Sequence, residues 1–182
     1  YGQITSNTIF KETDEANTDF LGKICVAWEN AAHQFEEIGT RVVCLRTSLV
    51  LSKKGEGFKL LKKPIQLGVG ANLGDGKQWM PWIHIDDLLQ IYLNAVENIE
   101  MKGSYNASAP ENVNHSTFNH TLAKKLNKPF FLPNIPTFIM KMALGEMSDL
   151  VLKGSRIDVE KIQLTGFEFQ YPTLEKALND LL

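Results

Sequence analysis

The sequence is poor in the features that mark specialised protein classes. It holds only two cysteines, Cys25 and Cys44, each inside an apolar pattern, which makes neither a CxxC metal knuckle nor a secreted disulfide framework. Both read as reduced packing residues, and no metal site is expected. No apolar run approaches the roughly eighteen residues that a membrane span needs, and the N-terminus shows no basic and apolar signal pattern. There is no long run of one charge either. With 19 basic against 21 acidic side chains and a net charge of −2, nothing points to nucleic acid or a membrane surface. The expectation is a protein of the cytoplasm or an organelle matrix that binds a small-molecule substrate, its oligomeric state left open. An initial Met is also missing, and Tyr1 arrives without any preceding element, so a truncated chain is expected.

What is present suits an α/β fold. The 182 residues are 43% apolar, enough for a core. Phe20, Ile24, Trp28, Ala31, Phe35 and Ile38 recur at helical spacing, with Thr18 or Asp19 as a cap and Gly39 as a stop. The nearly uncharged run Val42 to Leu51 follows, of the kind found in a parallel strand covered on both faces. Gly55 and Gly57 open a short helix that Pro64 is expected to end, and the glycine-spaced segment Gly68 to Gly74 reads as hairpin turns. It neither follows a strand nor opens a helix, as a dinucleotide loop would. Gly103 to Ala107 reads as a strand, and Asn114 or Ser116 as the cap of the next helix. Phe130 to Leu132 and Phe167 to Phe169 read as brief strands, Phe138 to Leu152 as apolar helices, and Pro172-Thr173 as the cap of the last helix. Glu12, Asp14 and Glu15 read as solvated surface in an opening loop.

The central stretch runs from Gly74 to Asp87. A Gly-Asp-Gly turn leads through Gln78, Trp79, Met80, Pro81, Trp82, Ile83 and His84 into a carboxylate pair, where Asp86 or Asp87 can accept from the first amides of a helix. In an extended segment Gln78, Met80, Trp82 and His84 share one face, so they are expected to line one cavity together with Lys23 and the strand end Thr47-Ser48-Leu49. Pro81 could interrupt that strip. His84 has two readings, a structural imidazole bonding the helix start or a site residue. The Met-bearing helices from Phe138 are expected to roof the cavity. Arg46, a charge in an apolar strand, must pair with a carboxylate such as Glu29 or reach the strand's open end.

Taken in order, Tyr1-Gly2, Trp28-Glu29, Leu45-Arg46-Thr47, Trp82-Ile-His-Ile-Asp-Asp87, Tyr105-Asn106, Gly145-Glu146-Met147 and Gly166-Phe-Glu-Phe169 resemble the atypical extended short-chain dehydrogenase/reductases. More narrowly, the chain is similar to the epimerase-family proteins often labelled sugar-nucleotide epimerase or cell-division inhibitor, which end in a small domain of unknown function. The resemblance implies the second half of a Rossmann-type parallel sheet, 1–52 with 84–106, and a small mixed α/β substrate lobe, 53–83 with 107–182. It implies NADP or NAD as cofactor in the full-length protein, with Lys23, Thr47, Ser48 and Leu49 near it and Gln78, Trp82 and His84 on the substrate side. The glycine-rich phosphate loop is absent from this sequence.

Two positions depart from the family pattern. Active relatives place a Tyr four residues before the Lys that matches Lys23, and here that position is Asp19. Lys23 is then a ribose contact or a surface lysine, and Tyr1 is the phenol left to stand near a nicotinamide or to pack at a strand end. Met80 stands where many sugar-nucleotide enzymes carry an Arg for a diphosphate. Two functions stay open: an NAD(P)-dependent oxidoreductase or epimerase, and a non-catalytic NADP(H)-binding sensor.

Overall fold

The computed structural model describes residues 8–182. β1 (Ile9–Phe10) leads through a loop to α1 (Phe20–His33), and β2 (Val43–Thr47) and β3 (Leu49–Leu51) follow almost continuously. Next come α2 (Glu56–Gln66), β4 (Trp82–His84), α3 (Ile85–Glu97), β5 (Gly103–Ala107) and α4 (His115–Lys125). The last part holds α5 (Thr137–Leu144), α6 (Asp149–Leu152), β6 (Arg156–Ile157), α7 (Glu160–Gln163) and α8 (Leu174–Leu181). Among the described residues the three strand pairings are parallel: β1 with β6, β2 with β5 and β3 with β4. This is the expected α/β chain.

Ser48 divides one long strand into two. Before it, the chain pairs with β5, Leu45 lying beside Tyr105; after it, Leu49 lies beside Trp82 on β4. Ser48 itself still donates its backbone N–H to Ala107 O at 3.1 Å, while Leu49 N–H turns to Pro81 O at 3.2 Å. Side-chain alternation then sorts the core. Leu49 and Leu51 pack into one apolar cluster with Trp82, Phe58, Phe118 and Leu178, whereas Val50 and Ile83 pack into a second with Ile91, Tyr105 and Ile162. A short sheet buried on both faces explains the absence of charge from Leu49 to Leu51. Each fully buried large side chain contributes about 1.5–3 kcal/mol.

Several local readings change in the structure. Pro64 does not end α2 but lies inside it, because Ile65 is buried and anchors one further turn, which Gly68 closes at φ 76°. Residues 68–74 form no hairpin; Leu73 pairs with the distant Ile135 instead. Phe130–Leu132 and Phe167–Phe169 have no partner strand among the described residues, and the two rings of the latter pack edge-on 5.0 Å apart. Glu12 is half-buried, since its carboxylate accepts from Asn106 N at 2.8 Å. The cap of α3 is His84 and not either aspartate: its Nδ1 accepts from Asp86 N at 3.2 Å.

Asp87 has a different partner. It is 1% exposed, and its two oxygens accept from Gln170 N at 2.7 Å and Tyr171 N at 2.9 Å. Burial pushes its carboxyl above the usual range, while these two amides pull it down. Asp87→Ala would leave two amide donors without partners, so a stability loss of about 3 kcal/mol is expected in urea unfolding. Arg46 pairs as foreseen. Its Nε and a terminal nitrogen donate to Glu29 at 2.8 and 2.9 Å, and the other terminal nitrogen donates to Glu12 O at 2.9 Å. Arg46→Met strands a largely buried Glu29 and should also cost about 3 kcal/mol. An unchanged unfolding midpoint with impaired ligand binding would instead make Arg46 a site residue.

Candidate functional site

A cleft of about 1050 Å³ opens at the carboxyl ends of β2 and β5. That edge is where open α/β sheets bind ligands. Thr47, Ser48 and Leu49 line it where the strand changes partner, and Asn106 and Ser108 line it from the end of β5. One wall is the segment Gln78 to Pro81; another is the inner side of α1 at Cys25 and Trp28. The segment 151–157 completes it through Val151, Lys153, Gly154, Ser155 and Ile157. The expected roof is thus displaced. α5 buries none of its residues and takes no part in the lining, so of the helices from Phe138 to Leu152 it is α6, through Val151, that reaches the cleft.

Thr47, Ser48, Leu49 and Gln78 come together in this cleft, and Trp82 and His84 do not. The extended alternation stops at Pro81, and β4 begins one residue later inside the core. Trp82 is fully buried in the first apolar cluster, its indole N–H without a hydrogen-bond partner among the described residues. His84 is buried against Tyr171, ring centroids 3.7 Å apart, with its Nε2 3.5 Å from the Asp180 carboxylate. Of its two readings, the geometry matches the structural one. Lys23 is exposed and outside the lining, and Tyr1 lies outside the described residues. Among the described residues, no group of three or more His, Cys, Asp or Glu could hold a metal ion, and no helix is long and apolar enough to cross a membrane.

His115 was not singled out in the sequence. It lines the cleft because an antiparallel bridge between Trp79 and Asn114 sets α4 beside Gln78: His115 N donates to Gln78 O at 2.9 Å, and Met80 N to Val113 O at 2.9 Å. The Asn114 cap was legible, accepting from Thr117 N at 2.8 Å; the residue after it carries no signal of its own. Behind it lies a polar network. Asn119 Nδ2 is 3.1 Å from His115 Nδ1 and 3.3 Å from Asn72 Oδ1, and Asn72 Nδ2 donates to Ser116 Oγ at 3.3 Å. Gly76 belongs to the same packing, at a φ of 72° that favours glycine, and a Cβ there would sit tightly, 3.2 Å from Asn72 and Ser116.

Comparison with known proteins gives a consistent result. Residues 20–108 match the NAD dependent epimerase/dehydratase family, and residues 135–181 match a domain of unknown function, DUF1731. An epimerase family protein of Staphylococcus aureus is 40% identical over 164 residues, covering 90% of this chain and 54% of the relative. One from Staphylococcus saprophyticus is 39% identical, covering 90% and 55%. The chain thus spans about half the length of these curated relatives. Among solved structures, the human epimerase family protein SDR39U1 with NADPH aligns with a TM-score of 0.90 at 27% identity, over all of this chain and 61% of that one. A nucleoside-diphosphate sugar epimerase from Corynebacterium glutamicum aligns with a TM-score of 0.78 at 29% identity, over 98% and 34%.

The burial of His115 has a measurable consequence. Desolvation lowers its pKa from 6.5 to about 4, so the unfolded imidazole takes a proton at a higher pH than the folded one. Its contribution to stability is complete above pH 6.5 and is lost as pH falls towards 4, by on the order of 3 kcal/mol. His115→Gln should remove that share of the acid sensitivity, read as a flatter dependence of the urea midpoint on pH across this window.

Proposed function

The chain belongs to the epimerase family, and on that premise we propose that it forms part of a protein that uses a nicotinamide dinucleotide, NADP or NAD, to oxidise, reduce or epimerise a small molecule. The observation that carries this reading is the cleft at the sheet's carboxyl edge, in which the strand end Thr47 to Leu49 meets Gln78. The likeness to a human relative solved with NADPH supports the cofactor class. Thr47, Ser48 and Leu49 are the residues offered to the nicotinamide end, and when bound the dinucleotide supplies or takes up hydride. Ser48 Oγ already donates to Ala107 O at 3.1 Å, so towards a ligand it acts as an acceptor. Gln78 is the substrate-side residue. In this reading 1–52 with 84–106 is the dinucleotide-binding part and 53–83 with 107–182 the substrate lobe.

One observation favours the sensor as a second reading. Asp19, at the position of the family's Tyr, caps α1 by accepting from Gly22 N at 2.7 Å and also accepts from Asn17 Nδ2 at 2.7 Å. A carboxylate committed to a helix cap does not replace a phenol as a proton donor. Without that donor, dinucleotide binding could serve to favour one shape of the protein.

Calorimetry with NADPH and NADP separates the possibilities. The full-length protein should bind with micromolar or better affinity, and residues 1–182 alone far more weakly, since they contain no glycine-rich loop opening a helix. Equal affinity of the two would overturn that expectation. Loss of reduced-nicotinamide absorbance with any member of a panel of aldehydes and ketones supports the enzyme. Tight binding without turnover of any panel member supports the sensor.

A further inference from the structure

Gln78 and His115 are adjacent in the cleft wall, and the hydrogen bonds behind them assign each a polarity. The Gln78 side chain places Nε2 3.1 Å from Leu73 O and 3.0 Å from Val151 O. Two carbonyl oxygens can only accept, so the amide nitrogen must face them and Oε1 is the atom left over. No described hydrogen bond uses that oxygen. Asn119 Nδ2 lies 3.1 Å from His115 Nδ1 and 3.5 Å from Nε2. The nearer nitrogen receives the amide hydrogen with its lone pair, and the ring proton of a neutral imidazole then sits on Nε2. Both residues are about 5% exposed and both line the cleft.

We propose that Gln78 Oε1 and His115 Nε2–H form an acceptor and donor pair that selects a neutral hydroxyl group of the ligand and rejects a carboxylate at the same place. The inference rests on the reading of the cleft as the substrate side, and it adds a substrate class to it. A hydroxyl can donate to Oε1 and accept from Nε2–H at once. A carboxylate has only lone pairs to offer, so one of its oxygens would face Oε1 with no hydrogen between them. A site whose buried polar groups are matched to a hydroxyl discriminates strongly, because the wrong ligand leaves those groups unpaired. The imidazole does not gain charge and attract anions, since burial keeps it neutral well below pH 7. Nothing else in the wall compensates. The cationic side chains of the lining are each matched by a carboxylate: Lys11 by Glu160 at 3.1 Å, Lys153 by Asp149 at 2.6 Å and Arg46 by Glu29 at 2.8 Å.

The test uses full-length protein and two probes, erythritol and malonate. Nitrogen-15 spectra of labelled histidine, assigned by the signals lost in His115→Gln, should show His115 as the neutral Nε2–H form from pH 7 to pH 5. The Nδ1–H form, or a cationic ring at pH 6, overturns the proposal. Saturation-transfer titrations should show erythritol binding and at least tenfold weaker malonate binding. His115→Phe should weaken erythritol by about tenfold, the loss of one neutral hydrogen bond, while His115→Gln, which restores an N–H donor, stays within about threefold of the native protein. Equal binding of the two probes, binding of neither, or erythritol affinity unchanged in a folded His115→Phe protein overturns it. NADPH calorimetry on the same samples keeps the readings apart: bound NADPH with no hydroxyl preference sinks this inference alone, and a hydroxyl preference without NADPH binding sinks the dinucleotide reading alone.

Discussion

The arrangement of the C-terminal half depends on one buried carboxylate. Asp87 sits in the first turn of α3, directly after the central strand β4, and holds the amides of Gln170 and Tyr171. Removing a carboxylate from water is costly, so the position is tolerable only because both oxygens find donors. The bond fixes the path of the chain just before α8. Tyr171 then stacks on His84, and α8 sends Leu174, Leu178 and Leu181 into the cluster around Trp82. Glu111 accepts from Leu174 N at 2.5 Å, so the start of α8 is tied to the loop after β5 as well. Asp180, near the end of that helix, returns to within 3.5 Å of His84. A single helix start therefore joins the sheet to the C-terminal segment.

The cleft follows from the exchange of strand partners at Ser48. A strand that kept β5 as its neighbour would carry the alternation Val43, Leu45 into Leu49 and Leu51 on the same face. Instead Val50 joins Val43 and Leu45 in the second cluster, and Leu49 and Leu51 turn to the first. The phase of the strand slips by one residue at Ser48, and a slip of one exchanges the faces. Where β5 departs and β4 arrives, the wall is open, and Thr47 and Ser48 are presented at the gap. The departure is the structural origin of the site.

Much of this was legible in the sequence because it is local. A cap of α1 at Thr18 or Asp19, the strand Gly103 to Ala107, a cap of α4 at Asn114 or Ser116, the Pro172-Thr173 cap of α8 and the Arg46–Glu29 pair all follow from spacing, capping chemistry or the cost of an isolated charge, and the structure selects Asp19, Asn114 and Thr173 as the caps. What was misread depended on contacts between distant segments. Phe130 to Leu132 has strand-forming residues but no partner, and strand propensity without a partner decides little. Alternation put Trp82 and His84 with Gln78, yet alternation holds only while the chain is extended, and Pro81 interrupts it. His115 entered the site through a bridge between Trp79 and Asn114 that no local pattern announces. The apolar stripe of α1 was read correctly as a helix, but burial did not follow: Gly22 is its only buried residue, and Trp28 is 72% exposed.

The shape of the cleft is set by main-chain contacts more than by side-chain packing. A Cβ placed on Gly154 would meet Trp79 O at 1.8 Å, so only glycine lets the segment 153–155 lie directly on the wall that carries Gln78. Gln78 bonds Val151 O across the same seam, and the Arg156 guanidinium lies 5.0 Å from the Trp79 ring centroid. Three contacts of different kinds thus hold two segments together that are far apart in sequence. A ligand in the cleft would then meet a wall and a roof whose spacing is fixed before it arrives, with the cost of ordering them already met by folding. The polar groups that line such a site can be few, because each is held in one orientation by bonds made behind it. Gln78 and His115 satisfy that condition, while the apolar residues around them supply shape and exclude water.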